Sequence, residues 1–186
     1  MATAAAAAVA AKRRNERDVA DPAGAVQRNH ARALASVVLS ALWAGGALLV
    51  VTTVAPAAFR VLPTRALAGA LVGQVLPVLF ISGLVVGVLS FVLAPRGAPR
   101  ALLRRIGAAG TLAGCAVAQI VIGPRIAALR EQIGPNLEAL AASDPLRASF
   151  GKLHGLSVLS LGVAMVFAMV TLVAAFLAVR AVPRQD

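Results

Sequence analysis

The 186 residues include one cysteine, one tryptophan, two histidines and no tyrosine, and charged residues make up only 13% of the chain. With a single thiol, Cys115, no intrachain disulfide can form, which excludes a thiol oxidoreductase working through paired cysteines. Inside an apolar run, Cys115 reads as a small packed side chain. Aromatic residues total 4%, so no stacking patch accompanies the net charge of +11, and nucleic acid is not expected as a partner. No Ser/His/Asp set, no His-x-x-x-His pair and no phosphate-binding glycine loop occurs, so neither hydrolytic nor nucleotide chemistry is written in the motifs. The chain reads as non-enzymatic and as needing no cofactor.

Charge is missing altogether from four long stretches, 33–59, 66–95, 106–124 and 153–179. A helix needs about 20 apolar residues to cross hydrocarbon about 30 Å thick. No polar face recurs at helical spacing in these runs, as a water-soluble core would require, and the alternation of a membrane β-barrel is absent. The expected fold is all-α, an integral membrane bundle of four transmembrane helices, with spans at about 33–59, 66–95, 102–124 and 148–180 and the lipid bilayer as surroundings.

Residues 1–31 read as a disordered, low-complexity cytoplasmic tail. It is not a secretory signal, because Lys12, Arg13 and Arg14 follow the alanine run rather than precede it. Segment 125–143 reads as an amphipathic extension, with Ile126, Leu129, Ile133, Leu137 and Leu140 at helical spacing and a break at Gly134-Pro135. Asp144-Pro145 is a helix start, a capping oxygen followed by proline at the first helical position. From there to Arg180 is about 54 Å of helix, longer than the hydrocarbon requires.

Basic residues set the orientation. Twelve flank one side (Lys12, Arg13, Arg14, Arg17, Arg28, Arg32, Arg96, Arg100, Arg104, Arg105, Arg180, Arg184) and six the other (Arg60, Arg65, Arg125, Arg130, Arg147, Lys152). The positive-inside rule then places both termini in the cytoplasm, with a bacterial plasma membrane as the expected location. No run holds an Asp, Glu, Lys or Arg, which argues against a proton-coupled transporter. Gln74 and Gln119 are the most polar residues within spans, and interhelical hydrogen bonds are expected for both. Gly69 and Gly73, Gly83 and Gly87, Gly110 and Gly114, and Gly151 and Gly155 are each spaced four apart. Such pairs let helices approach closely, within the chain or across a homodimer seam.

Two histidines cannot ligate one haem here, because His30 and His154 fall on opposite sides of the membrane under this topology. His154, Met165 and Met169 are candidate ligands for a soft metal, although eleven residues of helix, about 16 Å, separate the first two. The alternative for His154 is an interfacial anchor, with Gly151 and Gly155 admitting a neighbouring helix to hydrogen-bond distance.

"RALAGALVGQVLPVLF" after a first span containing Trp43, and "DPLRASFGKLHGLSVL" opening the last, resemble the transmembrane protein 205-like family, catalogued as domain of unknown function 4149. The resemblance covers about residues 36–180 and rests on Trp43, Gly46, Pro56, Phe59, Arg65, Gly69, Pro77, Phe80, Pro124, Phe150, His154, Gly155 and Ser157. Members often carry aromatics around Pro77, where this chain has Leu76, Val78 and Leu79, and an asparagine seven residues after the histidine, where it has Leu161. The resemblance implies a four-helix membrane protein with no established reaction. Two functions are open: a packing and interaction protein of the membrane, or a transporter or binding protein for a small solute or soft metal centred on His154.

Overall fold

The computed structural model describes residues 21–134, 140–141 and 143–181. Among them, four helices are long and apolar enough to cross a membrane: α1 (Pro22–Val61), α2 (Arg65–Val92), α3 (Ala101–Ile133) and α4 (Pro145–Arg180). The protein is an all-helical, multi-pass membrane bundle. Short connections at 62–64 and 93–100 make chain neighbours antiparallel. Each helix packs on the next, most extensively α3 on α4, and α1 closes the ring against α4.

α1 starts well before the expected position of about 33. Asp21 caps it, its carboxylate accepting from the Gly24 N–H at 2.8 Å, and Pro22 fills the first helical position. The tail expected over 1–31 is therefore helical from Pro22 onward, and residues 1–20 lie outside the described residues. Asp144 caps α4 in the same way, accepting from Leu146 N at 2.8 Å, so the start expected there is found in place. α3 continues through the expected amphipathic extension as far as Ile133, and Gly134 ends it at φ 71°. Pro135 and Leu137 lie outside the described residues.

Two spans are interrupted in the same manner. α1 widens to a π-helix over Val50–Val54, two residues before Pro56, and α3 over Val117–Ile122, two residues before Pro124. Proline has no N–H to donate and its ring crowds the preceding turn. At both places the residue just before the proline donates five residues back, Ala55 to Val50 O and Gly123 to Ala118 O, so the wide turn absorbs the proline without breaking the rod. Thr52 Oγ1 also donates to Leu48 O at 2.8 Å. Beyond its π segment α1 packs chiefly on α2, whereas α3 keeps its hold on α4.

The interior is built from small residues at helical spacing. α1 buries Ala33, Ser36, Ser40, Trp43, Ala44 and Ala47. α4 buries Ser157, Leu161, Ala164, Ala168, Thr171, Ala174, Ala175 and Ala178. Leucine and valine face outward, as at Leu42, 71% exposed, and Val92, 70% exposed, which suits a bilayer rather than water. The larger core side chains, Trp43, Leu79, Phe80 and Leu161, gather with Cys115 at mid-bundle.

Glycines mark the closest approaches. A Cβ at Gly83 would meet the Trp43 ring and Cys115 Sγ, one at Gly87 the Leu112 backbone at 3.1 Å, one at Gly110 the Phe167 ring and one at Gly114 the Ser160 carbonyl at 2.9 Å. At Gly45, Gly46, Gly151 and Gly155 nothing lies within 4 Å. Gly83→Ala should therefore lower the melting temperature in detergent, an overpacking cost of about 1–3 kcal/mol. Gly155→Ala should leave it unchanged or slightly raised, because alanine is the better helix former.

The Asp21 carboxyl is held below the usual carboxylate range, first by the Gly24 N–H and then by Arg28, whose Nη1 lies 3.2 Å away. A carboxyl whose pKa falls on folding stabilises the fold above its unfolded pKa, and that contribution is lost as pH drops through the folded value. The first turn of α1 should fray as pH falls below about 4. Amide exchange at Gly24 and Ala25 reads this, and Asp21→Ala should show the same fraying at neutral pH.

Candidate functional site

The polar groups gather at the two ends of the bundle, and arginines organise both. At the end carrying the first turns of α1 and the last of α4, Arg104 is only 1% exposed. Its Nη2 donates to Leu93 O at 2.8 Å, Ser36 Oγ at 3.1 Å and Arg32 O at 3.3 Å. Leu93 is the C-cap of α2, where carbonyls lack intrahelical partners and the helix dipole is negative. One guanidinium thus joins α1, the end of α2 and the start of α3. Arg104 Nε and Ser90 Oγ, both buried, have no hydrogen-bond partner among the described residues.

Two more arginines of the 93–105 turn reinforce this end. Arg100 takes a left-handed backbone, φ 53°, rare outside glycine, and its Nη1 donates to Leu177 O in the last turn of α4 at 3.0 Å. Arg105 lies over the Phe91 ring, 4.1 Å from its centroid, a cation–π contact. Sequence reasoning placed these residues among charges flanking the spans. The clue to a buried Arg104 was periodicity: Arg104, Gly107, Ala108, Thr111, Gly114 and Cys115 form the buried face of α3.

At the opposite end Arg130 of α3 reaches across to α2. Its Nη2 donates to Gly69 O at 3.2 Å, and a Cβ at Gly73 would meet Nη1 at 2.5 Å. The same guanidinium stands 5.7 Å from the Phe150 centroid on α4. Phe150 in turn lies parallel to His154 at 6.2 Å and 3°. The four glycines of α2 do share one face, toward the third span, but only Gly83 and Gly87 receive helix cores. Gly69 and Gly73 receive an arginine.

Several expected contacts are not made. His154 is exposed, forms no hydrogen bond among the described residues, and has no helix close by at Gly151 or Gly155. The reason lies in α1, which leaves α4 after its π segment. Gln74 is exposed and Gln119 half-buried, and neither makes an interhelical hydrogen bond among the described residues. Trp43 packs on Gly83, and its Nε1 donates to Leu79 O at 3.0 Å. Met165 is half-buried against the core, whereas Met169 is 49% exposed, so the two do not share an environment with each other or with His154.

The other motif residues are structural in setting. Phe80 and Ser157 are buried, 4% and 6% exposed, and Phe59 is 50% exposed. Gly46 is half-buried, and Arg65 opens α2. Pro77 lies within an unbroken α2, while Pro56 and Pro124 come just after the π segments. Leu161, at the position where the family often carries asparagine, belongs to the central apolar cluster.

The family model described as Domain of unknown function (DUF4149) matches residues 38–135. The chain belongs to this family. The matched segment takes in Trp43, the α2 glycines, Arg104 and Arg130, and stops before α4 with Phe150 and His154. No curated protein and no solved structure matches this DUF4149 member.

Removing the Arg104 side chain should unfasten three segments together. Ser36 Oγ would be left buried with a bond lost, at about 1–3 kcal/mol, and the half-buried Leu93 O would lose its partner at the helix end. Arg104→Ala should lower the melting temperature substantially. Arg104→Lys should restore part of the loss, since an ammonium has donors but not the planar fork.

Proposed function

We propose that this DUF4149 protein is a non-enzymatic membrane protein that works by helix packing and interaction within the bilayer, its partner being a second copy of the chain. The observation that carries this is the outward face of α4. Gly151, Gly155 and Gly162 fall within about 40° of one another around the helix, and nothing lies within 4 Å of a Cβ at any of them. Beside Gly162 runs an open groove of about 460 Å³ lined by Val158, Leu159, Val163, Val166 and Phe167. The glycines of α3 that face α4 are already filled by Thr171, Phe167 and Ala164. A small-residue face left unused by the fold is the surface that close helix–helix association needs.

The test is the oligomeric state in lipid nanodiscs or by single-molecule counting in bilayers. The native chain should dimerise, and Gly162→Leu should weaken the dimer while leaving the melting temperature of the monomer unchanged. A monomeric native chain at all lipid dilutions would refute the reading. Metal analysis of the same preparation tests the competing role as a soft-metal binder: a stoichiometric ion that disappears in His154→Gln would replace the interaction role.

The proposed orientation has both termini cytoplasmic, supported by twelve basic residues on that side against six on the other. Ser143 is exposed at the opposite end. Ser143→Cys in a Cys115→Ser background should react with an impermeant thiol reagent in intact cells; reaction only after lysis would invert the assignment.

A further inference from the structure

We propose that Arg130 and its surroundings form a binding site for the phosphate of an anionic phospholipid in the adjoining leaflet. The seat is built rather than incidental. Gly69 and Gly73 remove two side chains from α2, Gly69 O fixes one end of the guanidinium at 3.2 Å, and Phe150 stands against it at 5.7 Å. Only one of the five guanidinium N–H groups is used among the described residues. No carboxylate pairs with Arg130 among them. The remaining donors lie at an exposed edge, where a phosphate can take two of them at once.

The depth fits. Gly69 and Gly73 lie four and eight residues inside the Arg65 end of α2, about 6 and 12 Å along the axis. His154 lies 26 residues from Arg180, about 39 Å, which spans the hydrocarbon and reaches the opposite headgroup layer. The way in is open because α1 beyond Val54 packs on α2 and leaves the α4 side of the mouth uncovered. His154, stacked on Phe150 with no hydrogen bond of its own among the described residues, stands at that opening with ring nitrogens free for headgroup oxygens. The site needs the bilayer but not the interaction role proposed above.

Native mass spectrometry of the full chain, released from phosphatidylcholine nanodiscs doped with phosphatidylglycerol, reads which lipid stays bound. The native protein should retain one phosphatidylglycerol in preference to phosphatidylcholine. Arg130→Gln should weaken that preference about tenfold or more. Gly73→Ala should weaken it similarly while keeping the charge and the helix, because the new Cβ displaces the guanidinium from its seat. Arg60→Gln, which removes a charge from the same end but not from the site, should keep the preference. Native-like selectivity in both Arg130→Gln and Gly73→Ala, or equal loss in Arg60→Gln, would overturn the proposal. Inorganic phosphate that binds the detergent-purified protein and displaces the lipid at micromolar concentration would assign the seat to a free anion and overturn the lipid reading.

Discussion

Backbone separation is the quantity on which this bundle depends. Its helices bring leucine and valine to the lipid and alanine, glycine, serine and threonine to one another, so burial from water contributes little to holding them together. What remains is dispersion and polar contact at short range. A Cβ on Gly87 would stand 3.1 Å from the Leu112 backbone, and one on Gly107 would meet Thr171 and the Phe167 carbonyl. At such distances a hydroxyl can reach the next helix: Thr111 Oγ1 donates to Gly107 O of its own helix at 3.0 Å and approaches Ala164 O of α4 at 3.4 Å. The indole of Trp43 works by the same logic, lying on Gly83 with its N–H turned to Leu79 O.

Close approach is not kept along the whole length. The two π segments divide the bundle into an end where all four helices are bound together by arginine and an end where α1 departs from α4. Each is placed by a proline, and each changes the azimuth of the helical turns beyond it. In α3 this carries Arg130 round to α2; in α1 it exposes the flank of α4 that bears His154. A histidine at the entry of a span therefore becomes a surface residue through the conformation of a different helix.

Much of the fold could be read from residues alone, because span length and charge-free runs are properties of one segment at a time. The cap at Asp144-Pro145 was recognisable, and the identical Asp21-Pro22 was obscured by polar residues at 27–32, which look like tail but occupy the first turns of a helix longer than the membrane. The arginines are hard to read from sequence for a different reason. Arg104 and Arg105 are adjacent in sequence, yet about 100° of helix separates their directions, so one is buried among carbonyls and the other lies on Phe91. Counting charge per loop cannot make that distinction. Nor does spacing reveal what fills a glycine pair: Gly83 and Gly87 admit helices, Gly69 and Gly73 admit a guanidinium, and Gly151 and Gly155 admit nothing within the chain.

The partners of Arg104 have a bearing on how the chain is made. Leu93 O, Ser36 Oγ and Arg32 O all precede it in sequence, as Trp43 and Leu79 precede Arg104. Every acceptor is already synthesised when the third span begins to emerge from the ribosome, and none belongs to α4. The arginine can therefore be withdrawn from the lipid interface into a hairpin that is complete before the last quarter of the chain exists. Arg100 waits for Leu177, a partner made 77 residues later. The same short turn thus carries one bond suited to the early, three-helix stage of insertion and one that can form only once the fourth span has been made.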